Sequence, residues 1–226
     1  LPIILKLLSN ERTPNSKEEN LSQLGMKLKH WTRKEVLNDW LFWAVIIPFL
    51  IPPIFSTAFF FNMVHLTDVK NWSLITFTAL FPFYTGMSVL TTLCSGWIVD
   101  KFGVEKILPF YLLPMALGLL VFSYSNTYLT ASLGFAFLGM TQGLAMTIGG
   151  TFWPTYYGTK YLGSVRSLST STMVFGTAIG PAVVGKLLDL NFNYNLILLG
   201  MCALAIIASL SLAITMTKAP KLLPQQ

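Results

Sequence analysis

Long apolar runs alternate with short polar breaks along most of this chain. The runs lie at roughly 41–65, 72–99, 107–124, 128–152, 168–188 and 196–216. About 20 apolar residues in helix cross the ~30 Å hydrocarbon core of a bilayer, so each run predicts a transmembrane helix. A spanning segment must satisfy its own backbone, which leaves helices as the form these runs take. The predicted fold class is therefore all-α, a polytopic membrane protein with six transmembrane helices.

The polar remainder divides the chain. Residues 1–8 read as the last two turns of a preceding apolar helix, and the absence of an initiating methionine predicts a fragment without its N-terminal half. Residues 9–40 form a predicted cytoplasmic linker, polar over 9–20. Leu21, Leu24, Leu28 and Trp31 then recur at helical spacing among Lys27, Lys29, Arg33 and Lys34. That pattern fits a basic amphipathic helix on the membrane surface, with a solvated loop as the other reading. The bundle occupies 41–217 and a cytoplasmic tail 218–226.

Within the runs the breakers and polar residues carry the detail. Pro48, Pro52 and Pro53 predict a kinked or broken first helix, which either lines a cavity or only shapes packing. His65, near its outer end, reads as an interfacial residue rather than a proton carrier. An outer loop is expected at 66–71 and an inner one at 154–166. Gly139 and Gly143 form a small-x-x-x-small pair suited to close helix contact. Ser169, Thr170, Ser171 and Thr172 either bond back to their own helix or face an aqueous cavity.

Charge fixes the orientation. Placing the linker inside puts Lys27, Lys29, Arg33, Lys34, Lys101, Lys106, Lys160, Arg166, Lys218 and Lys221 inside, with Arg12 and Lys17. Only Lys70 and Lys186 fall outside. The net charge of +6 is thus a topology signal, and no nucleic-acid partner is expected, because no basic stripe with interleaved aromatics exists. The chain is 54% hydrophobic and 11% charged, where a soluble domain carries about a quarter charged residues. Cys94 and Cys202 sit inside apolar runs without metal-ligand spacing and read as packing residues. No Asp or Glu lies within an apolar run, and no His-Glu-x-x-His, Gly-Lys phosphate loop or Cys/His cluster occurs. The expectation is no enzyme and no cofactor.

The most informative bridge is Gly96-Trp97-Ile98-Val99-Asp100-Lys101-Phe102-Gly103-Val104-Glu105-Lys106, between the second and third runs. Gly96 permits close helix approach and Gly103 a turn conformation costly for other residues. Asp100 is placed to cap the following helix or to pair with a cation. The spacing resembles the loop motif of the major facilitator superfamily of secondary transporters: glycine, three residues, aspartate, a basic residue, one residue, glycine, then usually two basic residues. Gly96, Asp100, Lys101 and Gly103 match; Val104 and Glu105 depart from the basic pair. A Gly176-x-x-x-Gly180-Pro181 run resembles a second facilitator pattern, linked to antiport where it stands in the N-terminal half, so antiport is not carried over.

The resemblance implies the C-terminal six-helix half of such a transporter, moving a small solute across a lipid bilayer by alternating access. Its partners would be that solute and the missing N-terminal six-helix half. Its expected location is a bacterial inner membrane with cytoplasmic termini. Two inverted three-helix repeats are implied, in keeping with Gly96-x-x-x-Asp100 closing the second run and Gly185-x-x-x-Asp189 closing the fifth. Asp100 and Lys101 would bias the two-state equilibrium between facing states. Asn62, Tyr84, Gln142 and Thr172, polar groups at depth on the first, second, fourth and fifth runs, are the candidate substrate-lining residues, with helix-to-helix bonding as their other reading. A non-transporting polytopic scaffold or receptor subunit is the alternative function.

Overall fold

A computed structural model describes residues 24–223. Six long apolar helices account for most of it: α1 Trp40–Phe61, α2 Leu74–Phe102, α3 Val104–Tyr124, α4 Tyr128–Tyr157, α5 Leu162–Asp189 and α6 Tyr194–Lys218. No strand occurs among the described residues. The expected remnant at 1–8, the linker at 9–20 and Leu21 lie outside them.

Helix starts follow local chemistry. Thr127 accepts from the Thr130 N–H while the Thr130 hydroxyl accepts from the Thr127 N–H, a reciprocal cap at the head of α4. The Asn193 side chain accepts from the Asn195 N–H at 2.9 Å where α6 begins. Helix ends use residues that tolerate positive φ. Gly103 (φ 84) and Gly158 (φ 79) close α2 and α4, and Asn71 (φ 54) closes the short helix Met63–Lys70.

That short helix replaces the outer loop expected at 66–71. At the other end of the molecule, α4 continues through Pro154 to Tyr157 and α5 begins at Leu162, so the predicted loop at 154–166 shrinks to 158–161. A proline in the last turn deletes one backbone bond and does not end a helix whose freed carbonyl finds another donor.

The segment before α1 also differs from expectation. Over 24–37 the amphipathic periodicity does not become one helix. A 3-10 turn, Met26–Leu28, precedes the short helix Arg33–Leu37. Lys27 and Leu28 adopt φ 58 and 54, which no continuing helix allows. Tertiary packing overrides the periodicity. Trp31 is buried, its backbone N–H donates to the Tyr157 carbonyl at 3.0 Å, and its ring meets the Tyr157 ring edge-on at 5.6 Å. Gly25 lies so close to the end of α4 that a Cβ there would stand 2.5 Å from the Gly158 nitrogen. Tyr157 donates to Asp39 at 2.7 Å, which fixes the strap at its far end.

The six helices pack by exchange. α2 lies along α4, and α1 lies along α5; α3 packs on α4 and α6, and α6 on α1. Swapping α1–α3 for α4–α6 maps each of these pairs onto another or onto itself, so the second helix of each three-helix unit rests on the first helix of the other. One glycine pair lies on the α2–α4 contact and another on the α1–α5 contact. On α4, Gly139 meets the Tyr84 carbonyl and a Cβ at Gly143 would stand 2.5 Å from the Ser88 carbonyl oxygen. On α5, Gly180 meets the Ile54 carbonyl and Gly176 the Ile54 and Leu50 side chains. Backbones approach this closely only where side chains are absent.

Aromatics fill both ends of the bundle. Phe59, Phe77, Phe122 and Phe135 interlock near the Met63–Lys70 end, the closest rings 4.5 Å apart. Phe49, Phe152, Trp153 and Tyr156 do so near the strap. α2 stands apart in exposure: only Ser95 and Val99 are buried over Phe81–Phe102.

Candidate functional site

Five prolines lie inside α1, α4 and α5, and for three of them the carbonyl left without its backbone donor is met by a side chain from elsewhere. Pro52 cannot donate to the Pro48 carbonyl four residues back; the Tyr111 hydroxyl of α3 donates to it at 3.0 Å. Pro181 leaves the Thr177 carbonyl of α5, which lies 3.1 Å from the Thr57 hydroxyl of α1. That hydroxyl has one proton, shared with the Pro53 and Ile54 carbonyls at 2.7 and 3.0 Å. Pro154 leaves the Gly150 carbonyl of α4, to which Arg166 Nη2 donates at 3.1 Å.

The Pro52–Pro53 step opens beside a cavity of about 220 Å³. Phe49, Pro52 and Pro53 of α1 line it with Tyr111 of α3, Gln142 of α4 and Met173 of α5. Phe49 is the residue whose carbonyl Pro53 deprives of its helical donor. Gln142 is half-buried and makes no hydrogen bond to a described residue. The cavity thus joins a polar amide without a partner among the described residues to an apolar, aromatic and thioether wall. Such a mix suits an uncharged or amphipathic solute, with few polar groups setting orientation.

The other three candidates lie elsewhere. Asn62 closes α1 and donates to the Ala58 carbonyl of its own helix at 2.8 Å. Tyr84 is half-buried, its ring against Phe60 at 5.5 Å and its carbonyl against Gly139. Thr172 donates back to Leu168 at 2.9 Å, and Ser171 to Ser167 at 2.8 Å, so these hydroxyls serve their own helix. Of the four, Gln142 alone lines this cavity, beside an α1 that stays helical through its prolines. Tyr111 and Thr57 were not singled out by sequence reasoning. The prolines that create their acceptors were visible, but the donors lie on helices far away along the chain.

The bridge between α2 and α3 is turned outward. Gly96 meets no atom within 4 Å of an added Cβ, so its expected close contact is not made within the described chain. Asp100 is exposed and neither caps α3 nor pairs with a described cation. Gly103 occupies the capping position, at a φ that suits glycine, with Glu105 in the first turn beyond it. Lys101 Nζ lies 5.0 Å from the Trp97 ring centre and 5.4 Å from that of Phe102. Cys202 is buried, in keeping with a packing role, whereas Cys94 is exposed on α2.

Two charged groups outside the spans are shifted. Burial lowers the pKa of Lys70, whose Nζ donates to the Ser123 carbonyl at 2.8 Å and ties Met63–Lys70 to the end of α3. The Thr32 N–H, then Lys29 and the Thr32 hydroxyl, hold the Glu35 carboxyl down at about 2. Lys29 pairs with Glu35 at 2.9 Å and lies 4.2 Å from the Trp31 ring centre, which ties the strap together locally.

A sequence model of the Major Facilitator Superfamily matches residues 83–225, from within α2 to the end of the chain. The Protein TsgA homolog of Buchnera aphidicola subsp. Schizaphis graminum (strain Sg) is 25% identical over 127 residues, which is 56% of this chain and 33% of that protein. The matched stretch therefore spans about a third of the relative's length. The family match takes in the bridge motif, the Gly139–Gly143 contact and four of the six spans entire. This is an integral membrane protein, and the chain belongs to the Major Facilitator Superfamily of secondary transporters.

Proposed function

We propose that this chain is the C-terminal six-helix half of an alternating-access transporter, and that the Pro52–Gln142 cavity is its share of the solute path. The observation that carries this reading is the Gln142 amide, without a hydrogen bond to a described residue, in the cavity beside Pro52 and Pro53 of α1. An amide at bilayer depth without a protein partner is costly unless water or a ligand meets it. The exchange packing supports two inverted three-helix units that rock about such a cavity. The outward face of α2, with Leu93 71% exposed, is where the N-terminal half would dock. Asp100 and Lys101, unpaired within the described chain, would then meet that half at the inner side and bias the facing equilibrium. The basic residues of the strap, bridge and tail support cytoplasmic termini, and the bacterial relative supports an inner membrane. The substrate class that fits the cavity is a small uncharged or amphipathic solute.

The test is cysteine accessibility in the intact transporter, with Gln142→Cys probed by a membrane-permeant and an impermeant thiol reagent. Labelling from one side that solute protects against supports the assignment. Absence of labelling in both facing states removes Gln142 from the path and brings the non-transporting scaffold forward.

A further inference from the structure

We propose that the cleft between α5 and α6 is a binding site for one glycerophospholipid, with an acyl chain in the cleft and the headgroup phosphate on Lys186. The cleft has a volume of about 600 Å³ and only apolar residues line it, among them Ile54 of α1, Ile179 and Val183 of α5, and Leu196, Gly200 and Leu204 of α6. Its origin is local. Gly180 draws α5 onto the Ile54 carbonyl of α1, and α6 packs on α1 and α3, so α5 and α6 scarcely touch. Gly200 faces this gap with nothing within 4 Å of an added Cβ. Ile179, Val183, Leu196 and Leu204 are each more than half exposed, and in a membrane protein such a surface meets lipid chains.

A second hollow of about 490 Å³ shares Ile179, Val183 and Leu187 with the cleft and adds Lys186. α5 has 28 residues, about 42 Å of helix, against a hydrocarbon core of ~30 Å, so its last turn reaches the headgroup layer. Lys186 lies in that turn, exposed and without an ion pair to a described residue. A lysine there holds its ammonium among phosphates while its stem covers apolar surface. Asp189, one turn on, is also exposed and has no ion pair to a described residue. Its carboxylate accepts from an ammonium, which an ethanolamine headgroup carries and a glycerol headgroup lacks. The chemistry selects an aminophospholipid over an anionic one.

The experiment is native mass spectrometry of the intact transporter equilibrated with vesicles of phosphatidylethanolamine and phosphatidylglycerol in equal parts. The expected result is one phosphatidylethanolamine retained per protein. Lys186→Gln lowers retention by about fivefold, the loss of one lysine–phosphate attraction. Gly200→Phe, which fills the cleft from a position with free space, abolishes it. Asp189→Asn removes the preference between the two lipids. Lys186→Gln alters only an exposed side chain, so it decides the matter should the bulky variant fold poorly. Equal retention of both lipids by the unaltered protein overturns the proposal. So does unchanged retention in Lys186→Gln, or a crosslink from Val183→Cys to another protein segment that covers the cleft. Transport activity does not enter these readouts, so the site and the solute path stand or fall separately.

Discussion

The hydroxyl of Tyr111 donates at 3.0 Å to the one carbonyl, that of Pro48, which Pro52 deprives of its helical donor. Both groups are buried, so neither has water as a substitute. Tyr111→Phe should lower stability by about 1–2 kcal/mol, the cost of an unmet buried acceptor in a membrane helix. Pro52→Ala restores a backbone donor to the same carbonyl. Thermal unfolding in detergent should therefore show the double variant less destabilised than the sum of the two single ones. Strict additivity would mean that the hydroxyl and the proline act independently.

Helix contact by glycine makes a second expectation. Gly143→Ala places a methyl 2.5 Å from the Ser88 carbonyl oxygen and must separate α4 from α2. Gly163→Ala, in the first turn of α5, meets nothing within 4 Å and gains up to about 1 kcal/mol of helix propensity. Unfolding midpoints should fall for the first variant and hold or rise for the second.

For the bridge, Asp100→Ala should lower solute uptake by the intact transporter while its membrane level stays unchanged, since Asp100 contacts no described residue that the fold needs. Lys101→Ala should act in the same direction. Normal uptake by the Asp100 variant would end the proposed role.

The strap responds to pH with a definite sign. The Glu35 carboxyl sits at about 2 in the folded chain against 4.5 for the free group. A depressed folded value means the stabilisation is fully present above pH 4.5 and is lost as pH falls toward 2. Trp31, buried against Tyr157, reports the strap by fluorescence. Its emission should shift to the red between those values, and Glu35→Gln should remove that acid transition.

The six spans were readable because a bilayer demands long uninterrupted apolar helices, and the two α4 glycines because close approach needs them. Helix ends were harder to place. Span limits read from hydropathy stop where polar residues begin, yet α4 runs past Phe152 to Tyr157 and α5 starts at Leu162, since both project beyond the apolar layer. The strap misled for another reason: Leu24, Leu28 and Trp31 keep helical spacing, but Trp31 is buried on α4 while Leu28 stays 64% exposed. Among the candidate solute contacts, Gln142 is lodged at the cavity and Asn62, Tyr84 and Thr172 are not. Depth along a helix is legible from sequence. The direction a side chain faces depends on neighbours such as α1 and α5, which lie more than a hundred residues apart.

The exchanged packing has a consequence for biosynthesis. At roughly 5–20 residues per second, a ribosome that has finished α2 needs several seconds more to complete α4, on which α2 rests. α1 waits longer still for α5. During that interval the first helices stand in the bilayer with the Tyr84 and Ile54 carbonyl edges uncovered by Gly139 and Gly180. Insertion and assembly are thus separate stages in time, and a chain released after three helices would keep the Tyr111 and Phe122 contacts of α3 with α1 but lack the helices on which α1 and α2 chiefly rest.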